Sequence, residues 1–458
     1  MLKRATLVLV LLLAWAGVAE AGRFERVEPR TRGRVSSNAA PIYGVTWDET
    51  TDSYTYLGAL SDLTPTAPGT SPGDSRLEIH SQIRRCVIAD NGSVVGYLDP
   101  NDSTRYVSGA AADIDGSDGS VDGQVMVEIP RFYYRYSYTG TTHSYEICET
   151  DRSGFTIHPA FVRDGAVVTH RYIGAYEACL WDDSGSAYVG YGTAIDTAVD
   201  VLSSVSGVKA HTDEKRFEYR LAAANRGAGW RQLDFYLLSA VQLLYVIEYA
   251  DFNTQETIGN GNTAYSAWSY DEGIAPAGLS NSDGNGTAAS NDAFSSVPVD
   301  GSATNGVETS QYATYRGIEN LWGSVWEWVD GINVHNYDDA GGTSYSRAWV
   351  SGDRAVFADD TATGYTQFGD LAADDGYADA LIQSGSGFLP TGYTGASNTH
   401  LGDYYYTYFD DLVAPFNDWR VVRLGGTASN GATAGAFCVY THSDSAVDYA
   451  NLGGRLCY

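Results

Sequence analysis

Between Thr427 and Asn451 the chain strings together tyrosine, histidine, asparagine, aspartate and small hydroxylated residues, and these side chains could do the most chemistry. Rigid amphipathic rings supply contact area at little entropic cost, while Ser, Thr and Asn supply adaptable hydrogen bonds, which is how a recognition surface is built. The expected contacts are Thr427, Ser429, Asn430, Thr433, Tyr440, Thr441, His442, Ser443, Asp444, Asp448 and Tyr449. An ordinary polar loop would use the same residue types, so composition alone leaves both readings open. Catalytic patterns are missing: no G-x-S-x-G stands in a strand-turn-helix context, and there is no H-E-x-x-H and no P-loop. No catalytic residue is expected, and the chain reads as a binder and not an enzyme. The five cysteines, Cys86, Cys148, Cys179, Cys438 and Cys457, stand far apart with none in a C-x-x-C arrangement. An oxidising compartment would join two or four of them and leave at least one thiol over.

The elements that must hold this stretch begin with a leader. Lys3 and Arg4 precede an apolar run from Ala5 to Val18, and Ala19-Glu20-Ala21 follows where signal peptidase cuts, so residues 1–21 read as an export signal. The run is shorter than the about 20 apolar residues of a membrane span. No cysteine stands at the cleavage point to take a lipid. A secreted or cell-surface protein that does not span the membrane is expected, with an extracellular protein or a glycan as ligand. The formal net charge of −29 repels phosphate and argues against nucleic acid as a partner.

Residues 22–40 read as a flexible leader. From 41 to 127, short apolar stretches such as Ile42-Tyr43-Gly44-Val45 alternate with Asp, Gly, Ser and Pro, the punctuation of a small β-rich N-terminal module. The loop Asp113 to Gly119 alternates carboxylates but lacks a distal acidic ligand, and reads as a solvated turn. Leu233, Leu237, Ala240, Val241, Leu244 and Ile247 recur on one face and predict a helix from about Gln232 to Ala250 that packs on a sheet. A segment rich in Gly, Ser, Asn and Asp runs from Gly259 to Asn305. Further on, alternation in Val325-Trp326-Glu327-Trp328 puts both indoles on one side of an extended segment, where they would anchor a core.

Three stretches carry a resemblance: Gly317-Ile318-Glu319-Asn320-Leu321-Trp322-Gly323-Ser324-Val325-Trp326-Glu327-Trp328, Trp419-Arg420-Val421-Val422-Arg423-Leu424-Gly425-Gly426, and Asn451-Leu452-Gly453-Gly454-Arg455-Leu456. In order and C-terminal placement they resemble the motifs of the formylglycine-generating-enzyme branch of C-type-lectin-like folds. The departures are Ser324 for Asn, Thr427-Ala428 for Ser-Trp and Gly454-Arg455 for Phe-Arg. The resemblance implies an α+β class, with a C-type-lectin-like domain over 128–458. It also implies a Ca²⁺ held at Asn320, Gly323, Val325 and Glu327, with an ion pair between Glu327 and an arginine such as Arg316 as the competing use of that carboxylate. Oxidase activity in that family needs a pair of nearby cysteines; only Cys438 lies in the region concerned, so that activity is not expected.

Met126 to Tyr134, Gly154 to Phe161, Tyr172 to Glu177 and Asn225 to Gln232 resemble phage and prophage proteins, which implies, as the alternative, a structural or adhesion module. The end of the chain, 419–458, resembles the variable region of proteins diversified by retroelements. Adenine randomisation in Asn-type codons never yields Lys, Glu, Gln, Met or Trp, and none of these occurs from Thr427 to Asn451.

Overall fold

The computed structural model describes residues 40–263, 273–282, 312–339, 342–394, 402–407 and 417–458. The expected export signal and most of the leader lie outside the described residues, as does much of the Gly259 to Asn305 segment. Ala40 to Tyr458 form one compact unit.

Strands dominate it. A five-stranded sheet runs in the order Ser53–Gly58, Tyr43–Asp48, Thr142–Cys148, Tyr133–Thr139, Thr156–Ile157. A seven-stranded sheet runs from Arg231–Gln232 through Leu456–Cys457, His170–Gly174, Gln124–Pro130, Arg84–Ile88 and Val94–Asp99 to Asp102–Tyr106. The largest sheet is built on the long strand Trp326–Asp338, flanked by Ser344–Val350 on one side and by Asn417–Gly425, Gly435–Ser443 and Tyr404–Tyr406 on the other. The expected boundary at 127/128 falls inside the strand Gln124–Pro130, which pairs with Arg84–Ile88 before it and His170–Gly174 after it.

The α+β class is therefore a correction: the described helices are α1 (Arg216–Asn225), α2 (Phe235–Tyr249) and the single turn α3 (Thr254–Thr257), and the chain is β-rich. The resemblance implied that class, but short strands punctuated by glycine and aspartate fill most of the chain. α2 itself forms where the apolar period placed it. Asp234 caps its first turn, accepting from the Leu237 amide at 3.0 Å, and Ala250 ends it in the left-handed region at φ 51°. Only Tyr236 of its fifteen residues escapes full burial, so α2 is a core helix and not a half-wet one. Its buried Glu248 is answered by Arg316 at 2.6 Å and by the Tyr315 hydroxyl at 3.2 Å. All five cysteines are buried and unpaired.

The last residues join two sheets. Leu452–Gly453 pairs in parallel with Trp326 and Glu327 of the largest sheet, and Leu456–Cys457 inserts between His170–Gly174 and Arg231–Gln232 of the seven-stranded one. The Arg455 between them is wholly buried.

Candidate functional site

The strand Gly435–Ser443 carries the core of the expected contact stretch, and strand geometry sorts its side chains. Successive residues point to opposite faces, so Tyr440 and His442 look outward, half-buried, while Thr441 and Ser443 are buried. Thr441 Oγ1 lies 3.1 Å from the Tyr405 hydroxyl inside the sheet. Thr427, also buried, donates from its hydroxyl to Asn430 Oδ1 at 2.8 Å and holds a turn. These three do not reach the surface: a strand cannot present a contiguous run to one ligand. Ser429, Asp444, Asp448 and Tyr449 are exposed, and Asn430 and Thr433 are half-buried. Asp444 caps the Ala446 amide at 2.8 Å and Asp448 pairs with Lys215 at 3.1 Å, so both carboxylates also serve the fold.

Around Tyr440 the sheet assembles a ring cluster that the expected contacts omitted. Tyr406 stands beside it on the neighbouring parallel strand, centroids 5.4 Å apart. Tyr404 follows two residues away, 4.5 Å from Tyr406, and Tyr377 lies 5.1 Å from Tyr404. Trp326 meets Tyr406 and Tyr440 edge-on at 5.8 and 5.7 Å. Arg423, directly opposite Tyr440 in register, lays its guanidinium 3.7 Å from that ring's centre. The turn at Thr427 to Thr433 is fastened to the cluster: Asn430 Nδ2 donates to the Tyr406 hydroxyl at 3.1 Å, which donates to Thr433 Oγ1 at 3.0 Å. Gln255 of α3 holds the same turn from below through the Gly431 and Ala434 carbonyls. The signal that could have found this is the run Tyr404-Tyr405-Tyr406, whose alternation puts two rings out and one in.

The four residues expected to hold Ca²⁺ do lie together. Asn320, Gly323 and Ser324 form a tight turn with φ of 51°, 80° and 58°. A Cβ at Gly323 would sit 2.5 Å from the Asn262 carbonyl, so only glycine fits there. The one anionic donor is already engaged, however. Both Glu327 oxygens accept from Arg455 Nε, at 2.9 and 3.0 Å, and Arg455 Nη2 also donates to the Glu319 and Asn320 carbonyls at 2.9 Å. Glu177 accepts from the Val325 amide at 3.2 Å, and burial together with the Glu327 charge pushes its carboxyl up to about 8. Glu327 is then the carboxylate that answers Arg455. With a guanidinium on its one anionic ligand, this group of residues does not fit Ca²⁺. Of the two uses weighed for Glu327, the geometry is that of the ion pair, with Arg455 in place of Arg316, which pairs with Glu248 and with Asp74 at 2.6 Å.

Among the remaining nucleophiles, the Cys438 thiol beneath the ring cluster is wholly buried, and desolvation together with the nearby Asp403 holds it well above the ordinary thiol range.

No protein-family profile matches the chain, and no curated protein does. Among solved structures, the Major Tropism Determinant P3c Variant is similar at 10% identity and a TM-score of 0.24, over 92% of this chain and 81% of that one. A likeness at that level leaves the functional reading to the geometry of the site.

Proposed function

We propose that this protein is an adhesion- or receptor-type binder and that the tyrosine face of its largest sheet is the recognition surface. One observation carries the reading: Tyr377, Tyr404, Tyr406, Tyr440 and His442, none fully buried, stand side by side on three strands, next to the hydroxyl and amide groups of Ser429, Asn430 and Thr433. A sheet surface with only a solubilising role would carry charged and small polar residues there; clustered half-buried rings with a polar rim are the composition of an interface. Tyr404 and Tyr406 are also pre-positioned by their mutual packing and by the Asn430–Tyr406–Thr433 hydrogen bonds, so these two rings gain little order on binding.

The test is capture on extracellular-protein and glycan arrays by the wild-type chain, followed by Tyr406→Ala and Tyr440→Ala. Loss of either ring is expected to cost about 2 kcal/mol of affinity, the scale of an interface hot spot. Wild-type affinity in both variants would move the recognition surface elsewhere.

We also propose that the protein is exported and that the surface is diversified, on the strength of the leader at 1–21 and the residue types of the C-terminal stretch. A reverse-transcriptase gene and a near-copy of the last part of the coding sequence at the same locus are expected; a complete locus with neither would remove diversification. The second reading, a phage-derived adhesion module assembled inside the cell without diversification, is favoured by the five buried, unpaired thiols, which suit folding in a reducing compartment. The N-terminus of the protein as isolated from its source separates the two readings: Gly22 speaks for export, Met1 for assembly in the cell.

A further inference from the structure

Arg423 is placed unlike the other buried arginines. Arg171, Arg316 and Arg455 each meet a carboxylate on a neighbouring element. Arg85 meets no carboxylate among the described residues, yet hydrogen-bonds through all three of its nitrogens to Gly317, Ser103, Ser280 and Asn281. Arg423 is 6% exposed, and its Nε and Nη1 are buried without a hydrogen-bond partner among the described residues. What it does meet among the described residues is Tyr440, through the ring at 3.7 Å and a side-chain hydrogen bond, and the Trp326 ring at 5.0 Å. Ring faces attract a cation but accept no hydrogen bonds in the plane of the guanidinium. Around it, among the described residues, the groups of acidic type are the phenols of Tyr440 and Tyr449 and the thiol of Cys438, and phenols and thiols as a class carry no charge near neutral pH. A cation kept out of water with two N–H groups unanswered and no carboxylate against it among the described residues is destabilising unless something supplies the missing partner.

It lies directly beneath the proposed recognition surface, under the half-exposed ring of Tyr440 and beside the exposed Tyr449. We propose that the ligand supplies the missing charge: the tyrosine face takes a saccharide bearing a single carboxylate, which pairs with Arg423 as Tyr440 swings aside, while its sugar rings lie on the tyrosines. This rests on the tyrosine face being the recognition surface. A planar guanidinium matches a carboxylate in bidentate geometry. Sugar rings offer apolar C–H faces to stack on phenols, and hydroxyls for the Ser429, Asn430 and Thr433 rim. A net charge of −29 repels a densely acidic peptide, whereas one carboxylate on an otherwise neutral ligand meets a local positive charge.

The experiment uses the full chain and a panel of oligosaccharides in matched pairs, each pair differing only in ending with glucuronic acid or glucose. The expected result is at least one pair in which the acid member binds about 10-fold or more tightly, a difference of about 1.4 kcal/mol. Arg423→Met should erase that preference while the thermal midpoint stays within a few degrees. Should Arg423→Met fail to fold, competition by free glucuronic acid against free glucose on the wild type decides instead: inhibition by the acid alone supports the pairing, equal inhibition overturns it. The proposal also falls if no pair shows a preference, if the preference survives Arg423→Met, or if an acidic peptide binds where the acid sugars do not. Equal binding within every pair that Tyr440→Ala abolishes would overturn the charge requirement and leave the recognition surface standing. An Arg423-dependent preference untouched by Tyr406→Ala and Tyr440→Ala would overturn both.

Discussion

Replacing Arg455 by methionine is expected to destabilise the fold by about 3–5 kcal/mol, the range for removing one partner of a buried ion pair. Its guanidinium is wholly buried and holds Glu327 together with the carbonyls of Gly174, Glu319 and Asn320. Methionine fills a similar volume, so the loss isolates the charge and the hydrogen bonds from packing. The cost comes from what remains: a buried Glu327 carboxylate with no cation, beside a Glu177 carboxyl already held protonated by burial and by that same charge. Three backbone carbonyls lose a donor as well, and two of the strands concerned belong to different sheets, so the loss falls where the sheets are joined. Urea unfolding of Arg455→Met, Glu327→Leu and the double variant measures it. The double variant should be less damaged than the sum of the singles, since it leaves no buried charge stranded. Millimolar CaCl2 should leave the wild-type unfolding midpoint where it is. A change below about 1 kcal/mol in Arg455→Met, or a calcium-dependent rise in that midpoint, would show that the cation at Glu327 is something other than the arginine.

Arg455 also shows where sequence reading stops. Glu327 was legible as a carboxylate on the strand of Trp326 and Trp328, and an arginine partner was one of its two expected uses. The nearest arginine in sequence was Arg316, but a pair of glycines and a two-residue parallel pairing bring Arg455 to it from 128 positions away. Nothing local encodes that approach. α2 was legible for the opposite reason: a helix closes its hydrogen bonds within its own length, so its apolar period and its Asp234 cap suffice. The α+β class came with the family resemblance, and local pattern could not correct it, because the many two- to seven-residue strands each carry too few residues to show a period of two.

The proposed recognition surface was half legible. Composition marked 427–451, but a list of polar residues ignores strand alternation, which turns Thr441 and Ser443 inward, and the turn that buries Thr427. Tyr404 and Tyr406 were missed because their partner strand, Gly435–Ser443, runs parallel to them and some thirty residues on, a pairing that no turn signal announces.

Trp328→Ala is expected to cost about 3–5 kcal/mol, as for other buried large aromatics, and to leave ligand affinity of the folded fraction unchanged. The indole is wholly buried and its Nε1 donates to the Glu214 carbonyl at 3.0 Å, so alanine leaves both a void and an unanswered acceptor. Tyr449→Ala lies at the other extreme. With 55% of its surface exposed, its loss should shift stability by no more than about 0.5 kcal/mol. Trp326 is the informative position between them. It is 4% exposed and faces the same side as Trp328, yet its edges meet Tyr406 and Tyr440 and its ring lies 5.0 Å from the Arg423 guanidinium. Removing it should therefore lower both the unfolding midpoint and the affinity. The drop in affinity should persist when binding is measured at low temperature, where the variant is fully folded. If Trp326→Ala lowers stability alone, the ring cluster does not depend on what lies beneath it, and the pre-positioning argument for the tyrosine face fails with it.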